Sequence, residues 1–145
     1  MKKTKNQRSK IKNANQRPVN RADMTKGEDR QEFRNRVYRF SVDVIRFTND
    51  IPLERKVNYA LIDQLIRAGT SIGANVIEAR SCSSKKEFSR YFEMALKSAN
   101  ETKYWLCLFR DALEFGSEIK QLLKEADEIS KILAGSILTM KGKRQ

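Results

Sequence analysis

The sequence predicts an all-α protein, an antiparallel up-down-up-down four-helix bundle. Three observations predict it. Apolar residues recur at alternating steps of three and four through four segments between about residue 28 and residue 141. Short breaks carrying Pro, Gly or Ser separate those segments, and brief connections make consecutive helices antiparallel neighbours. No run has the alternation of a strand.

The first helix is expected from Glu28 to Thr48, with Phe33, Val37, Phe40, Val44 and Phe47 as its main stripe and Tyr38, Val42 and Ile45 well round the cylinder. Asn49, Asp50, Ile51 and Pro52 end it, because the Pro52 ring disfavours helical geometry at the residue before it and suits the start of a new helix. The second helix is then expected from Leu53 to Ala79, on Val57, Leu61, Leu65, Ala68, Ile72, Val76 and Ala79. Within it Gly69 and Gly73 lie four apart on one side. Each costs about 1 kcal/mol against Ala in a helix interior, and close approach of another backbone is the simplest compensation.

The third helix organises the chain. It is expected from Ser84 to Phe115, roughly 48 Å at 1.5 Å per residue, with Ser84 and Glu87 as a reciprocal capping pair and Gly116 as its stop. Phe88, Phe92, Ala95, Ala99, Thr102, Leu106, Phe109 and Leu113 form one stripe; Tyr91, Met94, Ser98, Trp105, Leu108 and Ala112 form a second beside it. The fourth helix, opened by Ser117 as N-cap, carries Ile119, Leu122, Ala126, Ile129, Leu133, Ile137 and Met140 to about Lys141. Residues 142–145 are expected to fray. So wide an apolar surface on the first three helices exceeds what one bundle core requires, so bundles are expected to associate, with Tyr91, Met94, Trp105 and Leu108 as contacts and Tyr91 and Trp105 exposed.

Residues 1–27 are rich in Lys, Arg, Asn and Gln, with Ile11 and Val19 the bulky aliphatics, and are expected to form a disordered basic tail. The chain has 30 Lys plus Arg against 18 Asp plus Glu, a formal charge of +12, which makes polyanions the natural partner class. With no hydrophobic span or leader visible, a cytosolic protein without membrane attachment is expected.

There is no histidine, which removes the commonest general base and metal ligand, and Cys82 with Cys107 is too few for a zinc site or a disulfide framework. No catalytic residue, metal or cofactor is therefore expected. Glu78, Glu93 and Glu101 sit among apolar neighbours, yet a lone carboxylate is not an active site and pairing with Lys or Arg is the plainer reading. The cations carry the better lead: Arg36, Arg39 and Arg46 recur along the first helix, and Lys85, Lys86 and Arg90 cluster at the start of the third. Point charges of this kind bind nucleic acid in a salt-dependent, largely sequence-indifferent way.

The stretch from Gln64 to Ala79, the turn Ser84-Lys-Lys-Glu-Phe-Ser89 and the run Glu101-Thr-Lys-Tyr-Trp-Leu106 resemble the four-helix bundle proteins of the bacterial 23S ribosomal RNA intervening-sequence family. The resemblance covers about residues 32 to 141 and leaves the basic tail outside. It implies a four-helix bundle assembled as a barrel-shaped homopentamer, a non-catalytic function and association with RNA. A related branch, the accessory variability determinants of diversity-generating retroelements, implies an alternative role as a protein-interaction scaffold bound to a reverse transcriptase. Arg67, Ser71, Asn75 and Glu78 match family motif positions, as do Gly69 and Gly73 between them; the resemblance implies structural roles, capping or linking helices at the bundle interior and subunit contacts.

Overall fold

The computed structural model describes residues 27–142, and the basic N-terminal stretch and Lys143–Gln145 lie outside the described residues. Four helices follow one another: α1 (Gly27–Asn49), α2 (Lys56–Glu78), α3 (Lys85–Ala112) and α4 (Ser117–Met140), with a 3₁₀ turn, Ala79–Ser81, after α2. Each helix packs on the next, and α4 returns to α1. The directions follow from individual contacts. Gly69 lies against Val44 and Gly73 against Val37, so α1 and α2 are antiparallel. Glu93 pairs with Lys141 and Lys103 with Asp127, which sets α3 antiparallel to α4. Phe33 meets Phe92 and Phe47 meets Phe109, so α1 and α3 run the same way.

The predicted stripes supply the core: Phe33, Val37, Phe40, Val44 and Phe47 from α1; Leu65, Ala68, Ile72 and Val76 from α2; Phe92, Ala95, Ala99, Leu106 and Phe109 from α3; and Ile119, Leu122, Ala126, Ile129, Leu133 and Ile137 from α4 are all buried. Thr102 is fully buried and donates its hydroxyl to the Ser98 carbonyl at 2.7 Å, which lets a polar residue occupy the stripe.

Several boundaries differ from the sequence expectation. Gly27, assigned to the tail, opens α1. Helix α2 begins three residues late, at Lys56, because Ile51 is buried and the Asn58 amide donates to the Pro52 carbonyl at 2.9 Å, which ties residues 52–55 into a non-helical connection. Asn58 takes the interior position there, and Val57, expected in the stripe, is exposed.

Helix α3 stops at Ala112 rather than Phe115. Glu114, not Gly116, adopts the left-handed conformation (φ 58°), and the Phe115 N–H reaches back to the Phe109 carbonyl at 3.4 Å. The reversal tucks Phe115 against Phe47 and Phe109, with ring centroids 5.7 and 6.2 Å away. Gly116 is the N-cap of α4 and Ser117 its first helical residue, so Ser117 does not cap.

Ser84 does cap α3, accepting from the Glu87 N–H at 3.2 Å, while the Glu87 carboxylate accepts from the Ser83 N–H at 3.4 Å, one residue earlier than the reciprocal pair requires. Gly69 and Gly73 leave α2 unbroken and let α1 approach closely. A Cβ on Gly69 would stand 3.1 Å from both methyls of Val44, and one on Gly73 3.3 Å from the Ser41 hydroxyl.

Candidate nucleic-acid interface

Two of the expected basic groups meet different fates. On α1 the cations are answered by carboxylates. Arg36 forms a two-pronged pair with Glu125 of α4, at 2.5 and 3.0 Å, and Glu125 accordingly raises the Arg36 pKa against the opposing effect of partial burial. Arg39 bonds Glu32 at 2.9 Å. Arg46 shares a cleft with Asp43, Asp50, Glu118 and Glu125. This side of the bundle offers little net attraction to phosphate.

On α3 the arrangement is different. Lys85, Lys86 and Arg90 are exposed in the first two turns and have no ion-pair partner among the described residues. They line a cleft of about 580 Å³ with Ser89, Glu93, Met140 and Lys141. The antiparallel pairing of α3 with α4 creates it by setting the last turn of α4 beside the first turns of α3. Glu93 also faces the cleft, but Lys141 holds its carboxylate at 2.5 Å. Cations in a first turn oppose the helix dipole, so their charge adds to the positive potential of the free N–H groups instead of cancelling it. Ser89 is buried at the cleft wall and its hydroxyl has no partner among the described residues.

Ser89 and Lys141 were not singled out from the sequence. Ser89 is recoverable in principle, one turn from Lys85; Lys141 is not, because its place beside α3 is a product of the fold.

The expected contact residues lie along α3. Met94 is exposed, whereas Tyr91 and Trp105, expected to be exposed, are half-buried and packed against the core, and Leu108 is half-buried. Trp105 donates to the Glu101 carboxylate at 3.2 Å and meets the Tyr104 ring edge-on at 5.1 Å. The α2 segment that carries the family resemblance serves its own helix. Ser71 donates to the Arg67 carbonyl at 2.6 Å and Asn75 to the Ser71 carbonyl at 2.8 Å, while Arg67 pairs with Asp63 at 3.2 Å. None of these bonds links or caps another helix, as the resemblance implied, because each side chain finds an acceptor one turn back. Glu78 and Glu101 are exposed, as is Glu93, so no apolar burial surrounds these carboxylates.

The family of 23S rRNA-intervening sequence proteins matches residues 30–135, which takes in all four helices except the first residues of α1 and the last of α4. The chain belongs to that family. The crystal structure of a protein of unknown function from the S23 ribosomal protein family of Bacteroides thetaiotaomicron superposes with a TM-score of 0.67 at 29% identity, covering 72% of this chain and 97% of that one. No curated protein matches the chain. Among the described residues, no group of three or more His, Cys, Asp or Glu is placed to hold a metal ion, and no helix is long and apolar enough to cross a membrane.

Proposed function

We propose that this family member is a non-catalytic, RNA-associated nucleic-acid-binding module that grips phosphates through the cleft at the start of α3 and through the basic segment before α1. The observation that carries this reading is the contrast between the two basic groups. Among the described residues Lys85, Lys86 and Arg90 have no carboxylate partner, whereas Arg36 and Arg39 are neutralised within the chain. The segment before α1 adds Lys2, Lys3, Lys5, Arg8, Lys10, Lys12, Arg17, Arg21 and Lys26 against one acid, Asp23, and it joins the bundle at the end where α3 begins. Binding of this kind releases counterions and is insensitive to base sequence.

A second observation favours self-association. Tyr38 and Ile45 on α1, Ile77 on α2 and Met94 on α3 are large apolar side chains left exposed. A homopentamer, as the resemblance implies, would cover such surface, and a partner such as a reverse transcriptase is the alternative occupant. Native mass spectrometry of the full-length protein, purified at low salt without nuclease, tests both readings. An oligomer carrying nucleic acid is expected; a clean, nucleic-acid-free monomer contradicts both.

A further inference from the structure

Three guanidinium groups that play no part in the cleft gather near the same end of the bundle. Arg30 and Arg34 are one turn apart on α1, a spacing that puts them on one face. The register set by Gly69 on Val44 and Gly73 on Val37 carries the 3₁₀ turn after α2, with Arg80, alongside the first turns of α1. Arg30 stacks over the Phe88 ring at 6.0 Å, which brings the start of α3 to the group. Arg34 donates through Nη2 to the Gln31 side chain at 2.7 Å, but its Nε is buried and has no acceptor among the described residues.

Among the described residues, the charges that act on Arg34 are of its own sign. Burial, then Arg80, then Arg30 lower its pKa. Glu32, between Arg30 and Arg34 in the sequence, pairs with Arg39 instead.

A donor without an acceptor beside like charges is costly, and a tetrahedral oxyanion relieves both terms at once. Guanidinium forks match its geometry, and more than one can share it. We propose that Arg30, Arg34 and Arg80 form a phosphate-binding site at this end of the bundle. A small outward turn of the Arg34 guanidinium gives Nε its acceptor, Arg80 closes the site from the turn after α2, and Phe88 holds Arg30 in place. The phosphate is either a free phosphate or a phosphate of a nucleic-acid strand; in the second case the site rests on the nucleic-acid reading above.

The test uses the full-length protein and inorganic phosphate, with chloride at matched ionic strength as reference. Thermal unfolding and titration calorimetry are expected to show stabilisation and saturable binding specific to phosphate. Arg80→Gln, at an exposed position, and Arg34→Gln should each weaken phosphate binding about tenfold, the scale of one lost charge-assisted hydrogen bond. Arg39→Gln, outside the group, should leave it intact. Failure of phosphate to stabilise beyond chloride, or an effect that survives unchanged in both Arg80→Gln and Arg34→Gln, overturns the site.

A labelled single-stranded RNA separates the two sources. Weaker RNA binding in Arg80→Gln together with competition by inorganic phosphate assigns the site to a nucleic-acid phosphate. Unchanged RNA affinity in Arg80→Gln, with phosphate binding lost, assigns it to free phosphate. If the wild-type protein binds no RNA yet loses its phosphate response in Arg80→Gln, the nucleic-acid reading fails and the phosphate site stands.

Discussion

Replacing Gly69 by Ala sets two effects of opposite sign against each other. Ala is worth about 1 kcal/mol more than Gly in a helix interior. Against that, the new Cβ stands 3.1 Å from both Cγ1 and Cγ2 of Val44 and 3.5 Å from its Cβ. Val44 is fully buried and β-branched, and because both methyls lie at the same distance, rotation about χ1 exchanges one close contact for another. Overpacking of this type costs about 1–3 kcal/mol, so the net change is a loss of about 1 kcal/mol. Gly73→Ala is the control: its Cβ meets the Ser41 hydroxyl at 3.3 Å and the Val37 carbonyl at an ordinary 3.5 Å, and moving that hydroxyl gives up its 3.1 Å bond to the Val37 carbonyl, a cost of about 1 kcal/mol that offsets the propensity gain, so stability should change little. Urea unfolding followed by far-UV circular dichroism, at one protein concentration, reads both. Adding Val44→Ala to Gly69→Ala should cost less than the two changes separately, since the second removes the clash made by the first. A Gly69→Ala protein more stable than wild type by the full helix-propensity gain refutes the close approach of α1 and α2.

Other perturbations follow from the same geometry. Phe109→Ala removes a fully buried ring that meets Phe47 edge-on at 5.8 Å, and should lower unfolding free energy by about 3–5 kcal/mol in the same assay. Ser84→Ala removes the cap of α3 and should cost about 1 kcal/mol, with Ser84→Asp restoring most of it. The Asp127 carboxyl is held below the usual carboxylate range, first by a hydrogen bond from Lys131, with partial burial opposing and the charges of Lys131 and Lys103 adding. Its folded-state pKa is thus depressed, so the stability it contributes is present above the ordinary value of about 3.9 and is lost as pH falls through the lower folded value. Asp127→Asn should lack that acid-side component in a series of unfolding curves below pH 5.

The core was legible because burial leaves a periodic trace: every α1 and α4 position placed in a main stripe is buried except Met140, which is half-buried. The boundaries were less so, since what moves them is tertiary. Nothing local in Leu53-Glu-Arg reports that Asn58 will bond Pro52, and nothing before Gly116 reports that Phe115 will fold back on Phe47. The same distinction governs the basic surface. Lys85, Lys86 and Arg90 are neighbours on one helix and could be read together, but the neutralisation of Arg36 depends on Glu125, 89 residues away. Arg34 and Arg80 likewise come together only once α1 and α2 are paired, which is why neither stood out in the sequence.

The central claim is that the start of α3, not the outer side of α1, meets nucleic acid. It is tested most directly by measuring the affinity of full-length protein for a single-stranded RNA across a salt series, comparing Lys85→Gln/Lys86→Gln/Arg90→Gln with Arg36→Gln/Arg39→Gln. The first variant should bind more weakly, with the slope of log K against log salt shallower by about 2, as expected for three lost phosphate contacts on a single strand, and the second should retain the wild-type slope. Equal slopes in the first variant and wild type, or a loss confined to the second, would contradict the claim.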